Sequence, residues 1–151
     1  MSTNSKISLI IAKAIEEDDS LRFLLSTELD EIACIVSIWY FLIISQGLLN
    51  LRGEDIPYNP VFKSYFLLEF DSSKKFDGWL FIDLEKVTPK VSQYLAANCI
   101  NIKPYEEIAN HLKIIDQNIL IDKNSCNYKL VQTLQQRFII NKKSPIKALK
   151  V

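Results

Sequence analysis

The sequence predicts an α/β fold, a mixed and partly parallel sheet flanked by helices. Three observations carry that expectation. Strand-like and helical stretches alternate through the C-terminal half, the arrangement that lays helices on a partly parallel sheet. Ahead of them, Tyr65 to Phe70 (YFLLEF) and Trp79 to Leu84 (WLFIDL) flank the polar link DSSKKFDG, the pattern of an antiparallel hairpin with a longer loop. Finally, 151 residues with 48% apolar and 24% charged side chains make one globular domain with a core rather than a disordered chain.

From the N-terminus, Ile7, Ile10, Ile11, Ala14 and Ile15 recur at helical spacing. The acidic run Glu16 to Asp19 opposes the negative end of a helix dipole and should stop that helix. Leu21 to Ser26 (LRFLLS) is short, apolar and bounded by polar residues, so it reads as a first buried strand. Thr27 begins a capping-box-like stretch. Pro57 and Pro60 forbid a helix and force a turning path through Asp55 to Pro60. After the hairpin, Thr88-Pro89 is an N-cap followed by proline at the first helical position, with Val91, Tyr94 and Leu95 on one face. A strand is expected from Cys99 to Ile102, then a helix from Pro104 that buries Ile108, Leu112 and Ile115. Ile119 to Ile121 should form a strand. Asn124 or Ser125 should cap a helix carrying Tyr128, Leu130, Val131 and Leu134, and Phe138 to Ile140 a last strand.

Composition narrows function before any motif does. Eighteen basic and eighteen acidic side chains give zero formal charge, which argues against a partner rich in phosphates such as nucleic acid. Cys34, Cys99 and Cys126 are odd in number and lack metal-type spacing, as suits reduced thiols in a cytoplasmic protein. His111 is the single histidine, so a zinc site built on several imidazoles is excluded. Gly47, Gly53 and Gly78 stand too far apart to form a phosphate-cradling loop.

At Leu49 to Phe62 stands LNLRGEDIPYNPVF, which resembles the hallmark stretch of the three-domain X-Pro aminopeptidases (aminopeptidase P). The resemblance continues in LLSTELDEIA, WLFIDLEKVTPKV, IKPYEEI, NYKLVQTL and SPIKALK, and so spans nearly the whole chain. It implies a creatinase-type N-terminal domain with ribonuclease H-like topology, a mixed β-sheet flanked by helices. It also implies a partner, the family's catalytic domain, which holds two divalent metals such as manganese or zinc and removes an N-terminal residue that precedes proline. No ligand motif of that domain occurs in residues 1–151. The expectation is therefore one domain over 1–151 with a truncated linker at 141–151, non-catalytic on its own and without a metal or cofactor.

Against the family pattern, Cys34 to Gly47 stands where a single tryptophan is expected. Cys34 and Gln46-Gly47 are the junction residues that a retained intron in a split tryptophan codon permits. An apolar helix inserted here turns the following face out of register. The expectation is an exposed apolar segment that promotes self-association or serves as an interaction module. A membrane span is disfavoured because Ser37, Ser45, Gln46, Gly47 and Asn50 interrupt the uncharged run and acids rather than basic residues precede it.

Candidate site residues lie in the hallmark loop. Arg52 has two readings: a contact to peptide or catalytic domain through its guanidinium fork, or a pair with Glu54, Asp55 or loop carbonyls. Tyr58, Asn59 and Pro60 sit in a rigid loop, where contacts with substrate or a neighbouring domain concentrate. His111 lies between apolar helix positions and reads as a solvated or hydrogen-bonded structural residue. Asp83 and Asp122 fall at strand ends, where a metal-dependent nuclease gathers carboxylates, but two acids beside lysines in a neutral chain are a poor nuclease site. None of the three cysteines has a readable histidine partner, so no nucleophile is assigned.

Overall fold

The nearly unbroken apolar runs YFLLEF and WLFI suit strands covered on both faces of a sheet, and that is how they are used. The computed structural model describes residues 33–37, 49–55, 57–58, 62–70, 76–115, 119–122, 127–135 and 137–141. Six strands are found there: β1 (Ala33–Ser37), β2 (Ser64–Phe70), β3 (Phe76–Ile82), β4 (Ile100–Pro104), β5 (Ile119–Asp122) and β6 (Phe138–Asn141). Their order across the sheet is β4-β3-β2-β1-β5-β6. β2 runs antiparallel to both its neighbours, while the β3–β4, β1–β5 and β5–β6 pairs are parallel. The expected hairpin is β2–β3, registered from Ser64 opposite Ile82 to Phe70 opposite Phe76.

The centre of the sheet departs from the sequence expectation. Cys34 to Ser37, read as the start of an exposed apolar insertion, belong to β1, bonded to β2 on one side and β5 on the other. The physical reason is that an interior slot satisfies backbone groups along both edges, which an exposed segment leaves to solvent. Ile35 and Val36 are β-branched and suit that slot, and a short apolar run does not reveal by periodicity whether it is helix or strand. Residues 38–48, the expected helix from Ile7, the expected strand Leu21–Ser26 and the Thr27 cap lie outside the described residues.

Three helices flank the sheet among the described residues: α1 (Pro89–Ala96), α2 (Ile108–Ile114) and α3 (Tyr128–Leu134). α1 starts as the sequence predicts, with Pro89 in the first turn and the Thr88 hydroxyl accepting from the Val91 amide at 3.3 Å. Two boundaries differ. Pro104 closes β4, and a 3₁₀ turn (Tyr105–Glu107) separates it from α2. α3 is capped by Asn127, whose Oδ1 accepts from the Lys129 amide at 2.9 Å, not by Asn124 or Ser125. Both differences are local competitions between turn and cap residues that sequence patterns resolve only to a few residues.

Tyr65, Leu67, Phe81, Ile119 and Ile121 cover one face of the sheet and pack with Ile108, Leu112, Ile115, Leu130 and Leu134. Alternate residues Phe66, Leu68, Leu80 and Ile82 are buried as well, so both faces are covered. Gly78 lies where β3 approaches its neighbours closely: a Cβ there meets Ile100 Cγ1 at 3.0 Å and the Phe66 ring at 3.1 Å.

Candidate functional site

The strand directions gather a set of loops at one end of the sheet. Because Ser64 pairs with Ile82 and Ile82 with Pro104, the start of β2 lies beside the ends of β3 and β4. Ser37 pairs with Phe66, and β5 and β6 run parallel to β1, so Asp122 and Asn141 finish at that same end. This is the carboxyl end of the parallel strands, where open α/β sheets place their ligand and partner contacts.

The hallmark loop occupies this end, anchored by two buried side chains, Leu49 and Phe62. Between them the Asp55 carboxylate makes a clip. One oxygen accepts from the Lys63 amide at 2.7 Å, eight residues on, and the other from Lys86 Nζ at 2.7 Å. Lys86 belongs to the 3₁₀ turn Leu84–Lys86 after β3 and also lies 3.8 Å from Asp83. The Asp55 side chain is 10% exposed and that of Lys86 40%, so the pair is partly sheltered from water. Burial opposes the Asp55 charge, but the Lys86 hydrogen bond, the Lys63 amide and both ammonium charges outweigh it and hold the carboxyl below its ordinary value. The Asp55 hydrogen bond raises Lys86 in turn.

The loop so fixed presents Tyr58. Its side chain is fully exposed, and its φ of 63° lies in the left-handed region that a bulky residue rarely adopts. On the adjoining 3₁₀ turn, Leu84 is half exposed. Arg52 is exposed and makes no ion pair among the described residues; Asp55, one of its expected partners, is engaged by Lys86. Asn59 and Pro60 lie outside the described residues. Sequence reasoning identified the loop and Tyr58 but missed the clip, because Asp55 and Lys86 stand 31 residues apart.

A second cluster lies on the helix-covered face. His111 of α2 is 7% exposed, with its ring 4.8 Å from that of Trp79 and edge-on to Phe81 at 5.3 Å. The ring is buried rather than solvated, and among the described residues neither ring nitrogen has a hydrogen-bond partner within 3.5 Å, nor has Trp79 Nε1. Its Nε2 stands 3.6 Å from Glu69 Oε1, and Lys103 Nζ sits 5.0 Å over the Trp79 ring. Burial, followed by the Lys103 charge, lowers the His111 pKa against the pull of Glu69 and Glu107, so the ring is neutral near pH 7. Its position is that of a packing residue.

The remaining sequence candidates do not converge. Asp83 Oδ1 accepts from the Glu85 amide at 3.1 Å as the cap of its 3₁₀ turn. Asp122 ends β5, three strand positions from β3, or about 14 Å at ~4.8 Å per strand. Among the described residues no three His, Cys, Asp or Glu side chains cluster to hold a metal ion. Cys99 is exposed and free at the turn after α1.

Residues 1–151 match the family of creatinase/prolidase N-terminal domains. The chain belongs to that family. As a creatinase N-terminal domain it has curated relatives named as probable Xaa-Pro aminopeptidase P. The protein of Sordaria macrospora is 38% identical over 105 residues, covering 70% of this chain and 14% of the relative. That of Tuber melanosporum is 33% identical over 134 residues, covering 89% and 18%. The matched part of this creatinase N-terminal domain thus spans less than a fifth of the length of either relative. An X-prolyl aminopeptidase of Caenorhabditis elegans, described as a cytosolic enzyme with a di-nuclear active site, has the same fold. It superposes with a TM-score of 0.64 at 23% identity, covering 96% of this chain and 22% of that one.

Proposed function

We propose that this chain is a non-catalytic domain of a metal-dependent Xaa-Pro aminopeptidase, which packs on the catalytic domain and shapes access to it. The observation that carries the reading is one of proportion. The match to an N-terminal domain family takes up the whole chain, yet the part of the chain that matches the Sordaria relative covers 14% of that relative. The described residues also lack a cluster of metal-ligating side chains. In this reading two divalent ions, such as manganese or zinc, belong to the catalytic domain, and this domain restricts the peptides that reach them. Arg52 and the Tyr58-Asn59-Pro60 loop are its contacts with substrate or catalytic domain. A cytoplasmic setting fits the free, exposed Cys99, and no helix among the described residues is long and apolar enough to cross a membrane.

The test is a peptidase assay on Xaa-Pro peptides with added manganese, using the purified 151-residue chain. The expected result is no turnover. Turnover that survives repurification and is abolished by a chelator overturns the proposal.

A further inference from the structure

We propose that His111 is a proton-operated catch for α2: as a neutral ring it seats the helix on the sheet, and on protonation it releases the helix while the sheet stays folded. Such a catch is internal to the domain and does not rest on the function proposed above.

α2 is seven residues long, too short to keep its hydrogen bonds in water without packing. The side chains it buries are Ile108, His111 and Leu112, so a titratable group makes up one third of its seat. His111 fills its place by shape. The ring stands 4.8 Å from that of Trp79, tilted by 49°, and meets Phe81 edge-on at 5.3 Å. Among the described residues neither nitrogen has a hydrogen-bond partner within 3.5 Å. A neutral imidazole bears this at modest cost. An imidazolium does not, because both nitrogens then donate and the charge needs water or an anion.

The neighbouring elements do not meet that need. From β2, Glu69 Oε1 stands 3.6 Å from Nε2. Closing that gap serves one nitrogen and leaves Nδ1 buried and bare. From β4, Lys103 Nζ lies 5.0 Å over the Trp79 ring, so the indole already faces one cation and a second is repelled. β3 meets the ring with Trp79 and Phe81. Glu107, in the 3₁₀ turn before α2, attracts the proton but is exposed to water. Arg137, ahead of β6, donates to the Leu112 carbonyl at 3.2 Å and adds another positive charge against the helix. α3 packs on α2 through Leu130 and Leu134, and its Lys129, like Lys113 of α2, is exposed. Burial and then Lys103 outweigh the carboxylates, and both disfavour the proton.

A proton therefore binds better to a His111 that has left its seat. The released ring takes its ordinary value of 6.5 and the seated ring a lower one. The ratio of seated to released helix then falls by up to about tenfold over the pH unit below 6.5. Release uncovers Trp79 and Phe81, and it is a local opening of one short element rather than unfolding of the domain.

Hydrogen exchange of the purified 151-residue chain tests this at about pH 7.5 and about pH 5.5, read by mass spectrometry and scaled for the intrinsic pH dependence of amide exchange. Peptides over 105–115 report on α2 and those over 64–82 on the β2–β3 hairpin. Protection over 105–115 should fall by about five- to tenfold at the lower pH while the hairpin holds within about twofold. In His111→Leu the fall should vanish. Equal loss in both regions, unchanged protection of α2, or a loss that persists in folded His111→Leu overturns the proposal. Lys103→Met is the second variant and keeps the catch. His111 is the single histidine, so its imidazole signal is unambiguous by NMR. Without the repelling ammonium its titration midpoint should rise and the response of α2 should shrink with it. A midpoint that stays in place, or an α2 response that does not shrink, overturns the proposal as well.

Discussion

Single residues in this domain show where local preference gives way to a larger requirement. Tyr58 adopts a left-handed backbone that costs a non-glycine residue roughly 1–2 kcal/mol. Tyr58→Gly should therefore raise the unfolding free energy of the isolated chain by about 1 kcal/mol in a urea titration, even though it removes a proposed contact residue. A loss of stability instead would mean that the ring makes contacts that its exposure denies. His111 makes the opposite exchange, since its nitrogens are buried from water and, among the described residues, gain no hydrogen-bond partner within 3.5 Å. Its folded pKa lies below the ordinary 6.5, so the unfolded chain binds more protons as acidity rises. The stability it contributes is complete above the ordinary pKa and is lost as pH falls from there through the folded value, at up to about 1.4 kcal/mol per pH unit for one proton. Denaturation series between about pH 7.5 and 5 should show this slope in the native chain and a flatter one in His111→Leu. The groups that oppose or reinforce the shift, Glu69, Lys103 and Glu107, remain in both. That His111 is structural was legible from its helical position between Ile108 and Leu112. Its unpartnered seat against Trp79 was not, because Trp79 comes from another element 32 residues away.

Elements were legible to the extent that their signals are local. Thr88-Pro89 fixes the start of α1 through a hydroxyl three residues from the amide it serves, and the Ile108, Leu112 and Ile115 stripe identifies the buried side of α2. The β2–β3 hairpin is likewise a matter of neighbours in sequence. β1 is different. Its five residues carry no mark that distinguishes a central strand from one turn of an apolar helix, and its partners β2 and β5 lie far along the chain. Its position gives a sharp expectation: Ile35→Pro removes a ladder donor and strains a strand paired on both sides. It should destabilise the domain by about 3 kcal/mol or more, read as a lowered melting temperature by circular dichroism. A melting temperature equal to that of the native chain would return Cys34–Ser37 to the role of a dispensable insertion. The candidate site divides in the same way. The two prolines announced a rigid loop, whereas Asp55, one of several expected partners of the nearby Arg52, took a distant lysine instead.

At the scale of the molecule, one reversed strand organises everything else. With β2 running against its neighbours, the hallmark loop, the 3₁₀ turn after β3 and the departure of the chain from β6 all come to one end. The fold class was readable because alternation of strands and helices is a global pattern, while strand order was not, because nothing in the sequence says that β1 lies between β2 and β5. That order has a consequence for biosynthesis. Cys34 pairs with Ile119, so when β1 and β2 emerge from the ribosome the far edge of β1 has no strand to meet until β5 has been made. At ~5–20 residues per second this leaves a sticky apolar margin uncovered for several seconds of every translation. The nascent chain is thus most exposed to misassembly midway through its synthesis, and a holdase that protects it would act on β1 in that interval.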